Sequence, residues 1–200
     1  MKQKYLLAYN LLLTIGWTVF FVREIFSGFQ MDATSLLLLN ICQGAAALEV
    51  VHAALKWVSS PVFTTFIQVF SRIFVLVWIN ILISDLDSLI QIFFGVNGVV
   101  LVTIAWSITE IVRYSLYFFT LLQKKIRWLT YLRYTLFIAL YPLGVTGEWL
   151  ILLSILKLNV WALTPMNIFI GIIMLTYFPF FPKLYLYMWQ QRKKKIPAGA

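Results

Sequence analysis

Charged residues are scarce in this 200-residue sequence: they make up 12% of the chain, whereas hydrophobic residues make up 62%. Soluble domains carry about 25% charged residues, so this composition excludes an ordinary soluble fold. Long apolar runs recur along the whole length, which leaves no room for a separate soluble domain of roughly 50 residues or more. The sequence therefore predicts a single integral membrane domain over residues 1–200.

Cysteine and histidine are almost absent, with one residue of each type, Cys42 and His52. A single cysteine excludes an intramolecular disulfide, and one Cys with one His is too small a ligand set for a metal centre. The formal net charge is +9, but the basic residues flank apolar segments, as is typical of membrane proteins. We therefore predict neither a metal nor a nucleic-acid partner.

Six apolar segments are long enough to cross a bilayer core about 30 Å thick, which takes about 20 helical residues. Lipid cannot satisfy exposed backbone amides and carbonyls, so such segments form helices. The sequence predicts an all-α bundle of six transmembrane helices, at residues 6–26, 36–57, 62–83, 92–112, 129–153 and 163–189.

Lysine and arginine residues concentrate in alternate connections, which indicates the orientation of the bundle. One side receives the basic residues before span 1, after span 2, between spans 4 and 5, and after span 6. The other side receives one basic residue, Lys157, and all three aspartates, Asp32, Asp85 and Asp87. Because basic loops stay in the cytosol, we predict that both termini are cytosolic and that residues 190–200 form a basic cytosolic tail.

The four glutamates all lie within or at the ends of predicted spans, where a charged side chain costs at least about 2.5–3.5 kcal/mol and usually faces the bundle interior. On span 2, Glu49 and His52 share one helical face. We interpret them as a structural polar network in which Glu49 pairs with Arg72 of span 3 and His52 donates a hydrogen bond. Contact with a substrate is the alternative.

A second polar group lies on span 4, near its predicted cytosolic end. Glu110, Arg113 and Tyr114 share one helical face. One interpretation is a structural pair between Glu110 and Arg113. The other is that Arg113 and Tyr114 bind an anionic group from the cytosol, because a guanidinium suits phosphate or carboxylate.

Span 5 contains the segment LYPLGVTGEW, in which Tyr141 and Glu148 face the same way, about 10 Å apart along a regular helix. Pro142 removes one amide donor, and Gly144 and Gly147 allow the backbone to bend or to approach another helix closely. A distorted span would bring the phenol and the carboxyl group toward one substrate as an acid–base pair. The alternative is a kinked helix in which the carboxyl group contacts lumenal water and the phenol fills space.

Four segments, taken in this order over six spans, resemble one family: LEVVHAALKWVSSP (48–61), FIQVFSRIF (66–74), WSITEIVRYSLYF (106–118) and YPLGVTGE (141–148). The chain is similar over nearly its whole length to the endoplasmic-reticulum 3-hydroxyacyl-CoA dehydratases, also called protein-tyrosine-phosphatase-like A proteins. The resemblance implies a multi-pass hydro-lyase of the endoplasmic-reticulum membrane that removes water from very-long-chain 3-hydroxyacyl-CoA during fatty acid elongation. It implies no cofactor beyond the CoA of the substrate. It also implies membrane lipids and the elongase and reductases of the same process as partners.

The resemblance assigns the catalytic roles to Tyr141 and Glu148. We expect Glu148 to take the proton from C2 and Tyr141 to protonate the hydroxyl that leaves C3, because an ordinary phenol is protonated at neutral pH. The reverse assignment stays open if a neighbouring cation stabilises the phenolate. On the predicted span, Tyr141 lies about 18 Å from the cytosolic end.

The CoA phosphates are expected at the cytosolic face, where Lys124, Lys125 and Arg127, together with Arg113, would meet them. The alternative for the three loop residues is that they serve only as topology signals. Phosphatase chemistry, which the family name suggests, is excluded because Ala53 follows His52 where a thiolate nucleophile would be required. Two other classes stay open, a noncatalytic scaffold of a lipid-synthesis complex and a proton-coupled membrane carrier.

Overall fold

The computed structural model describes residues 2–84, 97–158 and 163–196, and these residues are helical with no strand among them. The helices are α1 (Lys2–Phe26), α2 (Ala33–Ala45), α3 (Ala47–Ala54), α4 (Val62–Ser84), α5 (Gly98–Leu121), α6 (Arg127–Arg133), α7 (Phe137–Leu158) and α8 (Pro165–Lys195). The predicted all-α class is confirmed over these ranges. Asp85, Asp87, the start of predicted span 4 at 92–96 and the tail residues 197–200 lie outside the described residues.

Six helical stretches are long and apolar enough to cross a membrane, with α2 and α3 together forming one of them. This agrees with the predicted number of spans. The cytosolic placement of the termini stays a prediction, because length and hydropathy do not distinguish the two sides of a bilayer.

Span 4 extends further than predicted. Helix α5 ends at Leu121 rather than at residue 112, because aromatic residues continue the apolar run and Arg113 is buried in ion pairs instead of ending the span. The prediction that Arg113 lies near the end of its helix is therefore wrong. Eight residues separate it from Leu121, which is about 12 Å along the helix axis.

Span 5 begins later than predicted, because the short helix α6 ends at Arg133 and the chain turns before α7 starts at Phe137. No glycine or proline marks this turn, which consists of Tyr134, Thr135 and Leu136, so the sequence does not reveal it.

Helix α7 is α-helical through Pro142, so the break in the span lies before the YPLGVTGE segment and not inside it. The predicted distortion that would bring Tyr141 and Glu148 together is therefore wrong, and the two residues lie about 10 Å apart along the axis of one helix. Tyr141 is consequently about 6 Å, not 18 Å, from the start of its helix.

Helix α5 lies at the centre of the bundle, packed against α1 on one side and α7 on the other. Helix α4 contacts α2, α3 and α7, whereas α8 packs along α7. Where α2 meets α4, the side-chain amides of Asn40 and Asn80 exchange two hydrogen bonds of 2.7 and 2.9 Å. Such interhelical hydrogen bonds add to the packing of small and apolar side chains that holds membrane helices together.

The contact between α5 and α7 depends on two glycines. A Cβ atom on Gly147 would lie 2.8 Å from the carbonyl oxygen of Gly98, and a Cβ on Gly98 would lie 2.8 Å from the carbonyl oxygen of Gly147. One turn earlier on α7, Gly144 faces Ala105 with little space between them. Of the two roles considered for Gly144 and Gly147, the structure shows the close approach of another helix, and this approach fixes which face of α7 meets α5.

We expect the substitution Gly147→Ala to separate α5 from α7, since the new methyl group would collide with a backbone oxygen that has no freedom to move aside. Overpacking of this kind costs about 1–3 kcal/mol, which corresponds to a fall in Tm of roughly 2–12 °C for a chain of this size. The measurement is thermal unfolding of the purified protein in detergent.

Gly171→Ala on α8 is the matched control, because nothing lies within 4 Å of a Cβ built there. That substitution should leave the Tm unchanged or raise it, since alanine favours a helix over glycine. Equal Tm values for the two variants would contradict the proposed close contact.

Candidate active site

One face of α5 carries a row of polar side chains, Trp106, Glu110, Arg113 and Tyr114, at helical spacing. Glu110 and Tyr114 are almost completely buried, with exposed fractions of 2% and 1%. A carboxylate at this depth requires partners, because burying an unpaired charge is very costly. Helix α4 supplies one partner of Glu110, and α5 itself supplies the other.

The Glu110 carboxylate lies between two arginines. Arg72 of α4 forms an ion pair with it, and Arg113 Nε donates to its Oε2 atom over 2.7 Å. Arg113 also donates from both terminal nitrogens to Glu49 of α3, over 3.0 and 2.7 Å, and the Tyr114 hydroxyl donates to the same carboxylate. Two arginines and two glutamates thus form one network without net charge, here called the ion-pair network (Glu49, Arg72, Glu110 and Arg113).

The structure confirms the pair between Glu110 and Arg113, but the predicted pair between Glu49 and Arg72 is wrong. Glu110 projects from the central helix and takes Arg72, so Glu49 pairs with Arg113 instead. The Arg113 guanidinium donates to Glu49, Glu110 and Tyr114, and its contact with a substrate stays a prediction. The same holds for Tyr114.

His52 lies at the edge of this network and contacts α1. Its Nε2 atom is 3.1 Å from the Tyr5 hydroxyl, and its ring stands edge-on to Tyr9, which in turn contacts the Tyr114 ring. Cys42, the single cysteine of the chain, is buried on α2 against Gly16. No thiol is therefore available beside His52 for phosphatase chemistry.

The predicted phosphate-binding residues lie apart from the ion-pair network. Lys124 and Lys125 are exposed in the connection after α5, and Arg127 is exposed at the start of α6. This connection leads through α6 into the start of α7. The three basic side chains are therefore at the same end of α7 as Tyr141, a placement that agrees with the prediction but does not test it.

Glu148 is the polar centre of α7, with 9% of its surface exposed. Trp106 Nε1 donates to its Oε1 atom over 3.0 Å, and the Tyr177 hydroxyl of α8 donates to its Oε2 atom over 2.7 Å. Among the described residues, no basic side chain forms an ion pair with this carboxyl group. The alternative in which Glu148 contacts lumenal water is wrong, because protein groups surround it.

Tyr141 lies two turns before Glu148 on α7. Its ring stacks on Phe181 of α8, with 5.2 Å between the ring centres and 7° between the planes. Within the described residues its hydroxyl has no hydrogen-bond partner, but Glu148 and Arg72 are both close enough to act on it electrostatically. The phenol therefore shares an electrostatic environment with the carboxyl group without contacting it directly.

Arg72 connects this pair with the ion-pair network. Its guanidinium lies over the Trp106 ring, 5.3 Å from the ring centre, while it also pairs with Glu110 and acts electrostatically on Glu148. A cation held over an indole by a second charged partner has little freedom to move. Arg72 thus places a positive charge against the indole that donates to Glu148.

Three residues around Glu148 were not predicted to lie there: Trp106, Arg72 and Tyr177. Trp106 precedes Glu110 by one helical turn, a spacing that indicates a shared face but no particular partner. Arg72 was expected to form an ion pair with Glu49 and with no other residue. Tyr177 lies in the aromatic-rich sequence of α8, where no spacing distinguishes it from its neighbours.

Chemically, the arrangement is suited to proton transfer. Each oxygen of a carboxyl group has two lone pairs, so single donors from Trp106 and Tyr177 leave Glu148 able to accept a proton. Tyr141 supplies a second exchangeable proton on the same helix face. Over the described ranges, no three His, Cys, Asp or Glu side chains are grouped closely enough to hold a metal ion.

We expect Glu110→Gln to destabilise the bundle strongly. The substitution leaves two partly buried guanidinium groups with one carboxylate, and breaking the pairs of the buried Glu110 in this way costs about 3–5 kcal/mol. The measurement is the free energy of unfolding, from thermal or denaturant titration in detergent.

Asp32→Asn is the matched control. Asp32 caps α2 through the Ser35 amide and forms an exposed ion pair with Arg23. Asparagine keeps the cap, so only an exposed ion pair, which contributes little to stability, is lost. A cost for Glu110→Gln no larger than that of the control would show that the ion-pair network does not hold the helices together.

Comparison with known proteins supplies the context for this geometry. The protein tyrosine phosphatase-like family, PTPLA, matches residues 43–198. No solved structure matches the chain.

Similar proteins are known from animals and a fungus. The Caenorhabditis elegans protein named very-long-chain (3R)-3-hydroxyacyl-CoA dehydratase hpo-8 is 41% identical, over 99% of this chain and 97% of its own length. The Mus musculus very-long-chain (3R)-3-hydroxyacyl-CoA dehydratase 2 is 35% identical over 96% of this chain and 80% of its own length. A probable very-long-chain (3R)-3-hydroxyacyl-CoA dehydratase of Schizosaccharomyces pombe is 34% identical, over 97% and 93%. With a family match across most of its length and near full-length relatives at these identities, the chain belongs to the protein tyrosine phosphatase-like PTPLA family.

Proposed function

We propose that this protein is a hydro-lyase that converts very-long-chain 3-hydroxyacyl-CoA into trans-2-enoyl-CoA. The observation that carries the proposal is the buried Glu148 carboxyl group, which two neutral donors hold on the same helix face as the Tyr141 phenol. The names of the relatives supply the substrate class. Dehydration requires a base and an acid at adjacent carbons, and these two side chains are of the required types.

In the proposed reaction, the Glu148 carboxylate takes the proton from C2 of the bound thioester. The electrons of the C2–H bond form the double bond between C2 and C3, and the C3–O bond breaks. Tyr141 gives its proton to the departing hydroxyl group, which leaves as water. A proton returns from Glu148 to the phenolate before the next turnover, so the enzyme ends unchanged.

Arg72 has a place in this scheme because it acts electrostatically on both groups. Its positive charge stabilises the phenolate that forms when Tyr141 gives up its proton. Glu110 holds the guanidinium in position, so the ion-pair network contributes to catalysis through a charge that is already in place before the substrate binds.

The start of α7 would receive the CoA portion of the substrate. Tyr141 is about 6 Å along the axis from Phe137, and the exposed Lys124, Lys125 and Arg127 precede the same helix along the chain. We propose that these cations bind the CoA phosphates at the cytosolic face of the endoplasmic-reticulum membrane. Both termini would then be cytosolic, and the elongase and reductases that make the substrate and use the product would be the neighbouring proteins.

Purified protein in detergent should convert 3-hydroxyacyl-CoA to the trans-2-enoyl product, detected by chromatography. Tyr141→Phe and Glu148→Gln should each lower kcat/KM by at least about 100-fold, since a positioned acid or base contributes about 10²–10⁴ to the rate. Tyr187→Phe is the control, because that side chain is exposed on α8 and should not affect turnover.

Unchanged turnover in both variants would refute the site. A wild-type protein without turnover would instead favour one of the other two classes. A proton-coupled carrier would show pH-driven flux of substrate into vesicles, whereas a scaffold would show neither flux nor water loss.

The two donors to Glu148 should act as positioning residues. Tyr177→Phe and Trp106→Phe each remove one hydrogen bond from the carboxyl group while the acid and the base remain, so we expect kcat to fall about tenfold with little change in KM. The shape of the pH profile of kcat should also change, because the environment of Glu148 changes. A loss in Tyr177→Phe as large as that in Tyr141→Phe would contradict this division and assign Tyr177 the role of the acid.

A further inference from the structure

A groove runs between α7 and α8. Its volume is about 380 Å³, within the range of 300–1,000 Å³ that is usual for ligand sites. The lining is almost entirely apolar and consists of Val145, Thr146, Trp149, Leu150, Leu153, Tyr177, Phe178, Phe181 and Pro182.

The groove is continuous with the candidate active site through two side chains of α8. Tyr177 forms part of its wall, and the hydroxyl of the same residue donates to Glu148. Phe181 forms another part of the wall, and its ring stacks on Tyr141. Tyr141 and Glu148 themselves do not line the groove, so Tyr177 and Phe181 are the side chains through which it adjoins the candidate active site.

The direction of the groove matches the shape of the proposed substrate. On α7 it extends from Val145 to Leu153, about 12 Å along the helix axis, toward the helix end that is opposite the basic connection. A substrate with its CoA phosphates at Lys124 and Lys125 and its C2 and C3 atoms at Tyr141 and Glu148 would direct its hydrocarbon chain along this path.

The outer side of the groove is open. Helix α8 has few buried residues, and Phe178 at the groove wall is largely exposed. Its ring stands edge-on to Trp149 of α7, with 5.5 Å between the ring centres, and this contact bridges the two helices. A hydrocarbon chain longer than the groove would therefore continue into the surrounding lipid.

We propose that the groove between α7 and α8 binds the acyl chain of the 3-hydroxyacyl substrate, which enters it past Tyr177 and Phe181 and passes Leu153 toward the lipid. This inference rests on the proposed dehydratase function. The apolar lining excludes the charged CoA portion. The connection through Tyr177 and Phe181 explains why an acyl chain with a reacting group at one end fits better than an ordinary membrane lipid.

Leu153→Trp should test the groove, since the larger side chain would block its far end. We expect kcat/KM for very-long-chain 3-hydroxyacyl-CoA to fall at least about tenfold, because pockets discriminate by this factor over a few atoms. Turnover of a short-chain 3-hydroxyacyl-CoA, which does not extend to Leu153, should stay within about twofold of wild type. Leu175→Trp is the control, because Leu175 is exposed on α8 and does not line the groove.

A second measurement does not depend on any variant. A 3-hydroxyacyl-CoA with a photoreactive diazirine at the end of its acyl chain should label groove residues of wild-type protein, identified by peptide mass spectrometry. Unlabelled substrate in excess should abolish this labelling. Labelling confined to other helices, or labelling by a diazirine phospholipid that the substrate does not displace, would overturn the proposal.

The outcomes separate this inference from the proposed function. A wild-type protein that dehydrates no chain length would refute the function and, with it, the acyl site. Turnover by the wild type with an equal loss at all chain lengths in Leu153→Trp, or with no loss, would refute the acyl site alone. If the Leu153→Trp protein aggregates, the labelling pattern decides.

Discussion

The structure depends on a carboxylate that lies between two arginines inside an apolar helix bundle. Glu110 on the central helix α5 pairs with Arg72 of α4 and with Arg113 of its own helix, and Arg113 extends the pairing to Glu49 of α3. None of these charges is tolerable alone at this depth. The charges neutralise one another only when α3, α4 and α5 are packed together. Apolar side chains can pack in many arrangements, whereas these ion pairs form in only one.

The two sides of α5 carry different kinds of residue. Toward α3 and α4 it presents charges that satisfy one another, whereas toward α7 it presents Gly98, Ala105 and the indole of Trp106. The small residues allow α7 to approach α5 so closely that no Cβ atom fits between the two backbones at Gly98 and Gly147. At this separation the indole donates to Glu148. The same close packing that stabilises the bundle thus determines the position of the candidate catalytic carboxyl group.

Arg72 is the residue through which stability and chemistry are linked. It belongs to the ion-pair network through Glu110, and it acts electrostatically on Tyr141 and Glu148. In the proposed dehydration, positive charge beside the phenol is useful only if it does not move when the phenol loses its proton. The ion pair with Glu110 and the contact with the Trp106 ring both restrain the Arg72 guanidinium, so the structural interpretation of Arg72 and a role in catalysis do not exclude each other.

The sequence by itself determined the class of fold, the number of spans and the residues that are too polar for their surroundings. Hydropathy depends on composition along the chain, so six apolar runs and four intramembrane glutamates are visible without coordinates. The YPLGVTGE segment likewise marked Tyr141 and Glu148.

Only the tertiary structure decided which polar side chains pair with each other. Glu49 forms an ion pair with Arg113, and Arg72 forms one with Glu110. Glu148 accepts hydrogen bonds from Trp106 and Tyr177. Spacing along one helix defines a face but not the helix that covers it, and the turn before Phe137 is hidden because no glycine or proline marks it. The pairing of polar side chains and the position of Tyr141 along its helix therefore follow from how the helices pack in three dimensions. No residue pattern within a single span contains this information.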